Sequence, residues 1–169
     1  TGRLRLVAVD RTGMVDPDAV ADAIDDELRQ GRDVSLVACQ LGNHEVGTIQ
    51  PAADVVALAK ARGARTLIDA AQAAGHIPID VRSLDVDFLA LSGHKLGGPA
   101  GSGALFVRRG VRVPPLLVGG EQERARRAGL ENMPAAVAFG AACAEVEQVM
   151  TAEAAEAVRL TDRLRQGLA

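Results

Sequence analysis

Apolar and polar positions along the chain fall into two alternating periods. Leu4 to Val9 is a short apolar run that ends in Asp10-Arg11-Thr12-Gly13, the pattern of a strand and a turn. Asp16-Pro17 then opens a helix: Asp16 caps its free N–H groups and Pro17 at the first helical position loses nothing. Val20, Ile24 and Leu28 recur every four residues and predict the buried face, with Asp25, Asp26 and Arg29 toward water and Gly31 as the stop. Val34 to Cys39 is a near-continuous apolar run, as expected of a buried parallel strand.

The same alternation continues. Asp54 to Arg62 predicts a second helix with Val55, Leu58 and Ala59 inward, closed by Gly63. Thr66 to Ile68, Val86 to Leu91 and Gly103 to Val107 predict three more strands. The last two are joined by too few residues for a helical crossover, so they pair antiparallel. Pro134 to Met150 and Ala152 to Leu168 predict two Ala-rich helices, the second with Ala157, Leu160, Leu164 and Leu168 on one apolar face. The expected fold class is α/β, a mostly parallel sheet with flanking helices.

Composition narrows what this sheet can do. The chain has 169 residues, enough for one domain with a core, and its net charge of −3 offers no basic excess for a phosphate backbone, so no nucleic acid partner is expected. Phe88, Phe106 and Phe139 are the only aromatic residues, too few for a base-stacking platform. No apolar run reaches the roughly 20 residues of a membrane helix. Cys39 and Cys143 make no disulfide framework, which suits a reducing, cytoplasmic compartment. The chain opens on Thr1 rather than Met, in what looks like a strand already under way, so it is expected to be the middle of a longer protein.

Ligands of open α/β sheets bind at the C-terminal ends of strands. Polar residues concentrate in three loops there: Asn43-His44-Glu45-Val46-Gly47, Asp69-Ala70-Ala71-Gln72, and Ser92-Gly93-His94-Lys95-Leu96-Gly97-Gly98-Pro99. Lys95 is either an exposed surface lysine or an amine that binds an aldehyde covalently. Gly93, Gly97 and Gly98 let the backbone approach a phosphate, and Ser92 and His94 supply donors to its oxygens. Pyridoxal 5'-phosphate has the aldehyde, the phosphate and a pyridine nitrogen that needs a carboxylate. Asp69 ends an apolar strand, where an unpaired carboxylate is costly. It is either that carboxylate or a cap for the segment starting at Ala70.

These loops resemble those of the cysteine desulfurases, class V aminotransferase-like enzymes of the fold-type I pyridoxal-phosphate superfamily. The resemblance rests on Asn43 to Pro51, Asp69 to Gln72, Val86-Asp87, Ser92 to Leu105, and Gly119 to Arg124 with Arg127-Ala128-Gly129, in that order. It spans roughly residues 34 to 132, and the order makes it specific.

The resemblance implies a large cofactor-binding domain truncated at both ends, with residues 1–132 as a partial pyridoxal-phosphate domain. Residues 133–169 are then a helical segment leading toward a C-terminal domain. It implies Lys95 as the cofactor-bound lysine, Asp69 at the ring nitrogen and Gln72 at the phenolic oxygen. Ser92 and His94 are implied as phosphate ligands, with Asn43 or His44 near the phenolic oxygen. It further implies a homodimer that removes sulfur from L-cysteine, leaving L-alanine and a persulfide for a sulfur-acceptor protein, as in iron–sulfur cluster assembly.

Three departures stand out. His44 occupies the position of a second Asn in the family pattern. Leu130 follows Gly129, where the pattern has a threonine that reaches the partner subunit's phosphate. The sulfur-accepting cysteine of the family lies downstream of this sequence, and its Gly-Thr phosphate turn lies upstream. Cys143, among alanines in a predicted helix, is expected to pack; Cys39 is expected to be an inert buried thiol rather than a reactive one.

Other members of the class share the lysine and aspartate, so an aminotransferase or a selenocysteine lyase is an alternative. An inactive truncated copy or a non-catalytic interaction domain is another. His76 is expected in a surface loop, and Arg124, Arg126 and Arg127 on a solvated helix face. The three histidines are too far apart for a metal site. A strand rather than a helix follows Gly97 to Gly103, which argues against a dinucleotide loop.

Overall fold

The computed structural model describes residues 2–168. Helix α1 (Pro17–Arg29) leads to strand β1 (Leu36–Gln40), helix α2 (Ala52–Ala61) and strand β2 (Arg65–Asp69). Strand β3 (Phe88–Ser92), a 3₁₀ turn (Gly93–Leu96) and strand β4 (Gly103–Val107) follow, then a short helical turn α3 (Gln122–Ala125) and the long helix α4 (Met133–Leu168). The four strands form one sheet in the order β1-β2-β3-β4. The first three are parallel and β4 runs antiparallel to β3, as the short connection required.

Why these residues form these elements is visible at their ends. The Asp16 carboxylate accepts from the Asp18 N–H at the start of α1, and Pro17 occupies the first turn. Gly31 and Gly63 take positive φ just past α1 and α2, where a side chain would be strained. Helix α2 returns the chain from β1 to β2 and buries Val55, Val56 and Ala59 against the sheet. Ile68, Leu89 and Val86 complete the centre of the core, each fully buried. Side chains of this size contribute about 1.5–3 kcal/mol each on burial.

Beneath β2 and β3 the core holds one polar knot. Thr66 N–H and the Thr66 hydroxyl both donate to Asp87 Oδ2, at 2.9 and 3.2 Å, and Asp87 N–H donates to Thr66 Oγ1 at 3.1 Å. Both residues are buried.

The structure corrects several expectations. Residues Leu4 to Val9 do not form a strand: Leu4 and Leu6 are exposed, and only an isolated bridge joins Val9 to Val15. Among the described residues the segment joins no ladder. It is tied instead by Arg5 to Asp26 and Glu27 on α1. Leu28 is exposed and Glu27 takes the inward position, held by Arg5 and Arg32. Strand β1 lies at a sheet edge with alternating exposure rather than as a buried strand, which leaves Leu36 in contact with solvent.

Residues 133–168 form one continuous helix rather than two, because Met150-Thr151-Ala152 carries neither glycine nor proline to break it. The apolar face bearing Leu160, Leu164 and Leu168 is exposed. Cys143 is exposed rather than packed.

Candidate functional site at the carboxyl ends of the strands

Parallel register brings three chain segments to one edge. Gln40 pairs with Asp69, and Asp69 with Ala90, so β1, β2 and β3 release their loops side by side. Backbone hydrogen bonds continue past the strands. Leu41 N–H donates to Asp69 O at 2.8 Å, and Ala70 N–H to Ala90 O at 3.0 Å.

After β3 the chain turns at once. Gly93 N–H donates to Ser102 O at 2.9 Å, and Gly98 N–H to Gly93 O at 2.9 Å, which closes the glycine-rich loop. A Cβ at Gly93 would stand 2.0 Å from Ser102 Oγ and 3.0 Å from Ser102 O, so a larger residue there would push Ser102 aside. Leu96 is buried against Ala74 and Phe139, anchoring the turn to α4. Lys95, its neighbour, is exposed, and its Nζ donates to Gln72 Oε1 at 2.8 Å. Ser92 Oγ and His94 Nδ1 lie 3.0 Å apart on the same turn.

Asp69 is exposed, so desolvation is not what demands a partner for its carboxylate. Its Oδ1 accepts from Ala71 N–H at 2.9 Å, the capping contact that the sequence allowed. Its other oxygen has no hydrogen bond among the described residues, so capping leaves it available to a ligand.

The first loop is organised differently. Asn43 Oδ1 accepts from Glu45 N–H at 2.9 Å and Val46 N–H at 3.0 Å, and Asn43 Nδ2 donates to Gln40 Oε1 at 3.3 Å. Asn43 therefore shapes its own loop. His44 is exposed, with Nε2 3.8 Å from Glu45 Oε1. Among the described residues neither Asn43 nor His44 bonds to Lys95, Gln72, Ser92 or Asp69. Cys39, at the end of β1, is half-buried, and burial pushes its thiol pKa up, which suits an inert thiol.

The site is an open edge. Two concavities elsewhere, one beside Pro17, Asp54 and Leu58 and the other beside Arg112, Arg124 and Arg126, contain none of these side chains. Arg124 and Arg127 are exposed, as expected, but Glu123, Arg124 and Ala125 take left-handed backbone angles, so α3 presents no regular helix face. His76 is exposed on its turn. Among the described residues no three His, Cys, Asp or Glu side chains cluster as metal ligands, and no helix is long and apolar enough to cross a membrane.

Residue-by-residue reading of the sequence missed Gln50 and Thr48, whose side chains hold the Asn43 loop. Their only signal was their place within the Asn43 to Pro51 motif.

The open, mostly parallel sheet with flanking helices has the architecture of the NifS-like fold-type I enzymes. A NifS-like protein of known structure superposes with a TM-score of 0.89 at 34% identity, over 97% of this chain and 44% of its own. The chain belongs to the aminotransferase class-V family, whose sequence pattern matches residues 1–169.

Within that family its similar relatives include cysteine desulfurases. Cysteine desulfurase IscS of Methanosarcina thermophila is 46% identical over 95% of this chain and 38% of its own length. Cysteine desulfurase 2 of Trichormus variabilis is 44% identical over 91% of this chain and 38% of its own. SspA, solved in complex with cysteine, has a TM-score of 0.72 at 35% identity, over 78% of this chain and 37% of its own. The chain thus spans about two fifths of the length of the curated relatives it matches.

Proposed function

We propose that this chain carries the cofactor lysine and the ring-facing residues of a pyridoxal-phosphate-dependent cysteine desulfurase, acting as part of a longer protein. One observation carries the reading. Lys95 and Gln72, from the loops after adjacent parallel strands, meet at 2.8 Å, with Asp69 at the end of the strand that leads to Gln72. The donor set suits the cofactor: one exposed amine, one exposed carboxylate with a free oxygen, a half-buried hydroxyl, an exposed imidazole and a glycine loop.

Pyridoxal 5'-phosphate, when bound, supplies an aldehyde and an electron-withdrawing protonated ring. Lys95 Nζ is the group that attaches it. Nζ, free of other bonds, would take the α-proton of the amino acid and return it. The free oxygen of Asp69 would hold the proton on the ring nitrogen. The Gln72 amide would donate to the phenolic oxygen, with Asn43 or His44 as a second donor. Ser92 and His94, already in contact, orient as donors to the phosphate. Leu130 has no hydroxyl to give, so the phosphate relies on the groups of its own subunit and on residues outside this chain. The thiol that takes the sulfur also belongs to those residues.

L-cysteine as substrate is supported by the named relatives and by SspA solved with cysteine. A homodimer, a sulfur-acceptor protein, a role in iron–sulfur assembly and a cytoplasmic location belong to the same reading.

The full-length protein tests it. Added pyridoxal 5'-phosphate is expected to give the visible absorption of a lysine-bound cofactor, and L-cysteine to yield equimolar alanine and sulfide with reductant. Lys95→Ala is expected to abolish both. An unchanged absorption in that variant refutes the assignment. Amino-group transfer to a keto acid without sulfide release would favour the aminotransferase alternative.

A further inference from the structure

We propose that Gln50 is a positioning residue for this site: its side-chain amide clasps the turn at residues 10–15 and thereby fixes the Asn43–His44 loop against the strand end that bears Asp69. The inference rests on the reading that this loop faces the cofactor, and adds a residue to it that touches no reacting group.

The geometry is two-sided. Gln50 Nε2 donates to Gly13 O at 2.6 Å, and Gln50 Oε1 accepts from Val15 N–H at 2.9 Å. One planar amide thus satisfies a backbone acceptor and a backbone donor two residues apart, more than 30 positions away in sequence. A second tie runs alongside it, from the Thr48 hydroxyl to Thr12 O. The turn is built to receive them: Asp10 Oδ1 accepts from Thr12 N–H at 2.8 Å and Met14 N–H at 3.0 Å. Gly13 takes a φ of +79°, and a Cβ there would meet Val46 Cγ2 at 3.3 Å, so the turn seats directly on the loop.

The backbone of the same residue faces the site. Gln50 N–H donates to Leu41 O at 2.8 Å, and Leu41 N–H donates to Asp69 O at 2.8 Å. Asn43 N–H closes the loop on Thr48 O at 3.0 Å. Gln50 therefore joins three segments: the 10–15 turn through its side chain, the loop through its own position, and the end of β2 through Leu41. The loop itself is largely exposed, and few apolar contacts hold it, so these polar ties determine where Asn43 and His44 stand. An amide is the side chain required, because a carboxylate has no donor for Gly13 O and an ammonium no acceptor for Val15 N–H.

The experiment compares Gln50→Met, Gln50→Glu and Lys95→Ala in the full-length protein. Hydrogen exchange by mass spectrometry reads residues 10–15 and 41–49, with 66–69 as the sheet reference. Equilibrium dialysis reads pyridoxal 5'-phosphate affinity. Gln50→Met keeps the volume and removes both side-chain bonds. It is expected to speed exchange in 10–15 and 41–49 about tenfold and weaken cofactor affinity about tenfold, as the loss of two modest hydrogen bonds implies. Exchange at 66–69 stays unchanged, and saturating cofactor still gives the lysine-bound absorption. Gln50→Glu, which retains the acceptor for Val15, falls between.

Wild-type exchange in Gln50→Met overturns the proposal, as does faster exchange with unaltered affinity. If Gln50→Met also loosens 66–69, Thr48→Val, which removes only the parallel tie, carries the same comparison. Normal loss of absorption in Lys95→Ala alongside wild-type behaviour at Gln50 sinks this inference alone. Retained absorption in Lys95→Ala sinks the functional reading and this inference with it.

Discussion

Lys95 Nζ donates to Gln72 Oε1 at 2.8 Å, linking the turn after β3 to the turn after β2. The two residues are 23 positions apart in sequence and come together because β2 and β3 are parallel neighbours. Both lie at the surface, so the bond orients the amine more than it holds the fold together. Gln72→Leu is therefore expected to change unfolding free energy by no more than about 0.5 kcal/mol. In the full-length protein, the same variant is expected to retain borohydride trapping of pyridoxal 5'-phosphate on Lys95 while its visible absorption maximum shifts. Urea denaturation and peptide mass mapping check the two halves; loss of trapping would place Gln72 in a different role.

Gly75 lies under the turn that carries Lys95. It takes a φ of +83°, and a Cβ there would stand 2.5 Å from Leu96 Cδ2 and 3.3 Å from Val146 Cγ1. Gly75→Ala is expected to cost about 1–3 kcal/mol, from backbone strain and from overpacking against Leu96. Denaturant unfolding measures the loss. A neutral result would show that Leu96 moves aside freely.

Asp87 has its carboxylate buried beneath the Thr66 backbone N–H and hydroxyl. Asp87→Ala leaves both donors without that acceptor. The expected loss is about 1–3 kcal/mol for the stranded N–H, with more if no water enters. Combining it with Thr66→Val is expected to be less than additive, because the hydroxyl half of the penalty is then already absent. Thermal or chemical unfolding of the single and double variants gives the comparison.

Glu27 supplies a pH dependence. Arg32, with further help from Arg5, holds its carboxyl well below the ordinary value of 4.5, at about 2. The folded state binds this proton less readily than the unfolded state. The ion pairs therefore add stability that is fully present above pH 4.5 and drains away as pH falls toward 2. Glu27→Gln is expected to flatten that part of the stability curve while leaving the range above pH 6 parallel to wild type. Unfolding free energies measured from pH 7 to pH 2 test it; an unchanged acid limb in the variant would assign the loss to other carboxylates.

Much of this molecule is legible in local pattern. The capping pair Asp16-Pro17, the apolar cores of β2 to β4 and the short β3–β4 connection each act over a few residues, and each stands as expected. So do the three polar loops at the strand ends, since strand polarity alone sends them to one edge. Lys95 stands out by its residue type in its loop, whereas Gln72 enters through the family resemblance alone.

Long-range contact overrode local pattern elsewhere. Leu4 to Val9 has the composition of a strand, but among the described residues only the Val9–Val15 bridge pairs it, and Arg5 ties the segment to α1 instead. Glu27 displaced Leu28 from the inward face because two arginines distant in sequence compensate its charge there. Gln50 acquired its role because the turn at Gly13 folds onto it, a contact that no spacing encodes. Short-range periodicity sets which segments become helix or strand; which polar groups meet depends on how the sheet brings distant residues within hydrogen-bonding distance.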